Sequence, residues 1–164
     1  MVHFSEDIIS LSSSIIEKAS KLNYRITLAE SCTGGLISSS ITAVPGSSNV
    51  FTCGYVTYSN HSKNRILGVP MDAIEQFGAV SDIVASAMAE GALALSKADI
   101  SLSVTGIAGP KGGTKDKPVG LVFLSIAKIN TDALIKKYIF AGSRDEIRRS
   151  AISAGLSLLL NQLQ

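Results

Sequence analysis

Ile8, Leu11, Ile15, Ile16, Ala19 and Leu22 recur at the three-and-four spacing of an amphipathic helix, with Ser5 as N-cap and Glu6 and Asp7 in its first turn. Tyr24 to Leu28 then reads as a strand, and Leu36 to Ala43 as a helix. Between them lies Ala29-Glu30-Ser31-Cys32-Thr33-Gly34-Gly35, a strand-turn-helix junction of small and polar residues. Val44-Pro45-Gly46-Ser47-Ser48 is a turn. Val50 to Tyr58, rich in β-branched and aromatic residues, predicts a strand in which Gly54 marks a bulge or a close approach of backbones. Short helical segments follow, from Ser59-Asn60-His61-Ser62-Lys63 to Leu67-Gly68 and from Met71 to Phe77, the latter closed by Gly78. Ser81 and Asp82 open a longer helix whose predicted buried stripe is Val84, Ala87, Met88, Gly91, Ala92 and Leu95.

Ile100 to Val104 predicts a strand, followed by a Gly-, Lys- and Pro-rich loop to Gly120 that is long enough to be functional. Leu121 to Ala127 and Leu134 to Phe140 are two further strands, with Asn130-Thr131-Asp132 fitting a hairpin. Ser143 and Glu146 form a capping box for a last helix buried through Ile147, Ala151, Ile152, Leu156, Leu159 and Leu163. This mixed order of strands and helices predicts an α/β protein: a single three-layer α/β/α domain over residues 1–164, with a mixed sheet of about five strands. Polar loops follow three of the strands, at Glu30 to Gly35, Ser59 to Lys63 and Thr105 to Pro110. Ligand crevices lie at the carboxyl ends of strands in such sheets, so the three loops are expected to converge on one site.

Composition narrows the function. The chain is 46% apolar and 17% charged, which excludes disorder, and its formal charge of +2 and 5% aromatic content argue against nucleic acid as a partner. Two cysteines and two histidines assemble neither a disulfide framework nor a zinc-type spacing, so no metal is expected. The N-terminus has neither the basic start nor the apolar core of a signal peptide. No apolar run reaches a membrane-spanning length, and a soluble cytoplasmic protein without a membrane partner is the expectation.

Ser31 is the first candidate nucleophile, because unpaired N–H groups at a helix start favour a developing oxyanion beside it; an ordinary N-cap is the competing role. Cys32 is a rival nucleophile or a core residue. The candidate bases are His61 and Lys63, and Lys63 has to be neutral to act, which requires burial or a nearby cation. Tyr58 ends a strand just before Lys63 and can relay a proton or orient the base. Thr105 to Gly109 offers N–H groups for a phosphate or carbonyl oxygen, or simply a turn. Arg144 and Arg148 sit on the first turns of the last helix, where a cation opposes the helix dipole, and this points to an anionic partner or to a solvated face. No phosphate-binding loop of the ATPase type and no dinucleotide fingerprint is present.

Six motifs, in order, resemble one family over nearly the whole length: Ala29 to Gly35, Gly46-Ser47-Ser48, Tyr55-Val56-Thr57-Tyr58-Ser59-Asn60 with Lys63, Gly78-Ala79-Val80-Ser81, Gly106-Ile107-Ala108-Gly109-Pro110 and Lys117-Pro118-Val119-Gly120. The chain resembles the CinA C-terminal domain family, whose stand-alone members are nicotinamide-nucleotide amidases. The resemblance implies conversion of nicotinamide mononucleotide to nicotinate mononucleotide and ammonia, in pyridine nucleotide recycling, without a cofactor. It implies a serine and lysine dyad with a nearby tyrosine, which fall on Ser31, Lys63 and Tyr58. The substrate-binding set is then Glu30, Cys32, Thr33, Gly34, Gly35, Ser48, Thr105, Gly106, Gly109 and Arg144, with the phosphate at the Gly106 to Gly109 loop or Arg144. A homodimer is also implied. Larger members carry a further N-terminal domain with a pyrophosphatase activity, for which these residues leave no room, so that activity and its metal are not expected. Two other readings stay open: a nucleotide-binding, competence-associated module without catalysis, and a serine amidase for another carboxamide.

Overall fold

A computed structural model describes residues 3–164; Met1 and Val2, at the start of the segment read for a leader, lie outside the described residues. Helix α1 (Glu6–Leu22) ends where Asn23 turns left-handed at a φ of 54° and the Tyr24 N–H donates to the Ala19 carbonyl at 2.9 Å. Tyr24 is thereby spent on closing the helix, so β1 runs Ile26–Glu30, two residues later than its apolar pattern predicts.

Strand β1 is buried at every residue. It pairs in parallel with β2 (Phe51–Val56) on one side and β3 (Ile100–Gly106) on the other. Strands β4 (Leu121–Lys128) and β5 (Leu134–Ile139) continue the sheet as an antiparallel hairpin, giving the order β2-β1-β3-β4-β5. The expected mixed five-strand sheet is thus present. β3 outlasts its predicted end at Val104 because Thr105 and Gly106 find ladder partners in Phe123 and Val122.

Alternation along β1 sets the layers. Ile26 and Leu28 join the core under α1, α2 (Leu36–Thr42) and α6 (Arg144–Gln162). Ala29 faces the opposite core, beneath α3 (Asn60–Leu67), α4 (Met71–Phe77) and α5 (Asp82–Ser96). The sheet-facing side of α5 is Val84, Ala85, Met88, Ala89 and Ala92. Leu95, predicted in that stripe, is 54% exposed: the alanine side allows the closer approach to the sheet and turns Leu95 away. The parallel arrangement of β1, β2 and β3 brings their carboxyl ends, and the loops that follow them, to one end of the molecule.

Candidate active site

Those three loops line a cleft of about 270 Å³ formed by Ser31, Cys32, Tyr58, Asn60, Lys63, Ala79, Val80, Thr105, Gly106, Ile107, Ala108, Gly109, Lys111, Gly112 and Arg144. A larger cavity of about 520 Å³ lies between the first turns of α1 and α6, but among the described residues no hydroxyl there is hydrogen-bonded to a base.

Register explains the centre of the cleft. Glu30 pairs with Val56 at the ends of β1 and β2, so Ser31 and Thr57 leave the sheet side by side, and the Thr57 N–H still donates to the Glu30 carbonyl at 2.9 Å. After Thr57 the chain turns into α3 through a reciprocal capping box between Ser59 and Ser62. Lys63 follows in the first turn on the same face as Leu67, and both are buried. Its ammonium nitrogen reaches back to lie 2.9 Å from Ser31 Oγ and 2.7 Å from the Thr57 carbonyl. Lys63 is 1% exposed and takes part in no ion pair among the described residues. Burial therefore pushes its pKa down from 10.5 to about 8. The other candidate base, His61, is exposed on α3 and does not line the cleft.

Ser31 is not the helix cap. Helix α2 begins five residues later, and its free N–H groups are taken by the buried Glu30 carboxylate. Glu30 Oε2 accepts from Thr33 Oγ1 at 2.6 Å, Gly35 N at 3.0 Å and Ile37 N at 3.1 Å; Oε1 accepts from Ser38 N at 2.8 Å and Ser38 Oγ at 2.7 Å. Glu30, expected among the substrate-binding residues, thus has both oxygens committed to the turn and does not line the cleft. Thr33, Gly34 and Gly35 are likewise absent from the lining. Gly34 and Gly35 take left-handed φ values of 63° and 93°, which glycine adopts without strain. Their N–H groups go to the Ser31 carbonyl and to Glu30, so the oxyanion donor expected from the Cys32 to Gly35 turn narrows to its first residues. Cys32 lines the cleft, and no backbone carbonyl accepts its N–H among the described residues. The Cys32 thiol is buried and raised to about 11 by that burial, which leaves it a poor nucleophile beside Ser31.

Ser48 is also not brought to the cleft by this chain. It lies in a short 3-10 turn, Ser47–Asn49, ahead of the first residue of β2, whereas Tyr58 follows the last. A six-residue strand, roughly 20 Å, separates the two ends.

Tyr58 lies at the mouth and is 60% exposed. Its hydroxyl accepts from Arg144 Nη2 at 3.0 Å, while Arg144 Nη1 donates to the Gly109 carbonyl at 2.8 Å. The first residue of α6 thus ties the loop after β2 to the loop after β3. Arg148, one turn further on, donates to the Thr33 carbonyl at 2.9 Å and braces the turn that carries Ser31. Thr105 and Gly106 line the cleft, and Thr105 Oγ1 donates to the Ala79 carbonyl at 2.8 Å, fixing the opposite wall. The Lys117 ammonium donates to the carbonyls of Phe77 and Val80 and fastens the long loop to the same wall. Sequence reasoning missed Thr57, whose contribution is a backbone carbonyl, and Lys111, which a lone cation after the Gly109-Pro110 turn does signal. Three cations, Lys63, Lys111 and Arg144, line the cleft, and no carboxylate does. Among the described residues no group of three His, Cys, Asp or Glu side chains is arranged to hold a metal ion, and no helix is long and apolar enough to cross a membrane.

Residues 8–163 match the family described as the CinA C-terminal domain. The chain belongs to the CinA family. A CinA-like protein of Prochlorococcus marinus is 46% identical over 155 residues, which cover 94% of this chain and 36% of that protein. A CinA-like protein of Geotalea uraniireducens is 48% identical over 145 residues, covering 88% of this chain and 34% of that protein. The chain therefore spans about a third of the length of these curated relatives. Among solved structures, the competence/damage inducible protein CihA of Agrobacterium tumefaciens superposes with a TM-score of 0.95 at 43% identity, covering 99% of this chain and all of that one. A CinA superfamily protein of Escherichia coli gives 0.91 at 33% identity, covering 99% and 95%. The same α/β fold is thus found in both of these solved structures.

Proposed function

We propose that this CinA domain is an amidohydrolase that converts nicotinamide mononucleotide to nicotinate mononucleotide and ammonia. The observation that carries the reading is the buried Lys63 nitrogen 2.9 Å from Ser31 Oγ, within reach for proton transfer and held in place by the Thr57 carbonyl. At neutral pH a lysine with a pKa of about 8 is neutral in about one molecule in ten, enough to supply a base without a histidine.

In this mechanism neutral Lys63 takes the Ser31 proton as Oγ attacks the carboxamide carbon. The oxyanion that forms is held by the Cys32 N–H. Lys63 returns the proton to the amide nitrogen, the carbon–nitrogen bond breaks and ammonia departs from an acyl-enzyme. Water, deprotonated by the same lysine, then attacks the ester and releases the carboxylate with Ser31 restored. Tyr58 and Arg144 close the mouth around the nucleotide. A cleft with cations and no carboxylate favours an anionic substrate.

The test compares ammonia release from nicotinamide mononucleotide, the riboside, nicotinamide and glutamine. Ser31→Ala and Lys63→Ala are expected to fold and to lose nearly all turnover of the mononucleotide. Near-wild-type turnover in either variant removes the dyad. Thermal stabilisation by the mononucleotide without ammonia release assigns the domain to nucleotide binding alone, and release from glutamine in preference to the mononucleotide makes it an amidase of another class.

A further inference from the structure

The three cations of the cleft are not equivalent. Lys63 is buried on the floor and committed to Ser31 and Thr57. Arg144 spends one terminal nitrogen on the Gly109 carbonyl and the other on the Tyr58 hydroxyl, so its fork already spans the mouth. Lys111 takes part in no hydrogen bond and in no ion pair among the described residues. It is exposed, lines the cleft two residues beyond Gly109, and is followed by Gly112, which has a left-handed φ of 94°, and Gly113. A long side chain on such a rim can follow a charged group that projects from the cleft, and an ammonium on a flexible stem suits a phosphate as a point charge.

We propose that Lys111 is the specificity-determining residue for the phosphate: it selects a nucleoside monophosphate over the corresponding nucleoside by pairing with the charged end that lies farthest from Ser31. This rests on the amidase reading for its substrate but assigns a residue that the reading does not use. The placement follows from the division of charge. A ligand whose uncharged carboxamide reaches Ser31 on the floor directs its other end to the rim, where the cation without a partner is Lys111. The cleft is at the small end of ligand pockets at about 270 Å³, so the charged end of one small molecule whose carboxamide is at Ser31 cannot lie far from that rim.

The readout is the selectivity ratio, kcat/KM for nicotinamide mononucleotide divided by kcat/KM for nicotinamide riboside, in wild type, Lys111→Gln and Lys111→Arg. Lys111→Gln is expected to lower the ratio about tenfold through KM for the mononucleotide, the size of one charge-assisted hydrogen bond at a partly solvated rim. Lys111→Arg is expected to recover most of it, and the wild-type ratio is expected to fall with added salt more than that of Lys111→Gln. An unchanged ratio in Lys111→Gln, or equal losses on both substrates, overturns the proposal. If the wild type releases ammonia from neither substrate, the amidase reading fails, and calorimetric titration with nicotinate mononucleotide and nicotinate riboside decides the role of Lys111 separately. Weaker binding of the mononucleotide alone by Lys111→Gln sustains the proposal; equal binding by both proteins, or none by the wild type, overturns it.

Discussion

Replacing Glu30 by glutamine separates a structural role for this residue from a substrate-binding one. The carboxylate accepts five hydrogen bonds, three on Oε2 and two on Oε1. A glutamine in the same rotamer keeps its oxygen on Thr33, Gly35 and Ile37 and turns its amide nitrogen towards Ser38. The Ser38 hydroxyl can rotate to accept, but the Ser38 N–H then confronts another donor in a buried site. An orphaned buried N–H costs about 1–3 kcal/mol, and loss of the negative charge at a helix start weakens the surviving bonds by about 1 kcal/mol in sum. The expected destabilisation is about 2–4 kcal/mol, and at about 2–4 °C per kcal/mol for a chain of this size the Tm falls by roughly 4–16 °C. Urea unfolding followed by circular dichroism measures the first quantity and thermal melts the second. A loss below about 1 kcal/mol would falsify the assignment of Glu30 to the α2 cap. A substrate-binding Glu30 predicts the opposite pattern, unchanged melting with a raised KM.

Because Lys63 must be neutral to act and burial holds it at about 8, kcat/KM is expected to rise about tenfold per pH unit on the acid side and to level off above about pH 8; a profile flat from about pH 6 excludes Lys63 as the base. The same shift makes the charged lysine the disfavoured form in the fold. Its cost is full below about pH 8 and fades as pH climbs towards the unfolded value of 10.5, so the Tm of Lys63→Met minus that of the wild type should shrink across that window. Arg144→Met breaks the link between Tyr58 and Gly109 and is expected to raise KM for the mononucleotide several-fold; an unchanged KM removes Arg144 from the site. Gly91→Ala drives a Cβ into the Leu67 carbonyl where α5 crosses α3, and a loss of about 3 kcal/mol in urea unfolding is expected.

The elements were legible because each is written locally. The capping box of Ser143 and Glu146 forms as its spacing predicts, and the apolar faces of α1 and α6 point inward. What local pattern does not carry is direction. Glu30 and Ser31 are neighbours in one polar turn; alternation at the end of β1 sends them to opposite faces, and only the packing of α2 on the Leu28 face makes Glu30 its cap and leaves Ser31 to the cleft. His61 and Lys63 sit two residues apart on one helix, yet only Lys63 shares a face with buried Leu67, a signal that the spacing does contain. Ser48 belongs to the motif order of the family, but a linear motif does not say at which end of a strand it will lie. The Gly54 alternatives resolve to a close approach. The register slip between β1 and β2 falls earlier, between Ile26 and Thr27, while a Cβ on Gly54 would collide with Ser38 Oγ.

That contact gives the molecule two kinds of position under different freedom to change. Ser38 holds two of the five bonds to Glu30, and it fits there only because Gly54 on the edge strand has no side chain. Gly54, Ser38 and Glu30 therefore have to change together or not at all, and a substitution at Gly54 is expected to lower the Tm as Glu30→Gln does, although Gly54 does not line the cleft. Lys111 at the rim carries no such obligation. If the amidase reading and the Lys111 assignment hold, substitution at Lys111 retunes which ligand the domain accepts while leaving Ser31, Lys63 and the Glu30 turn untouched.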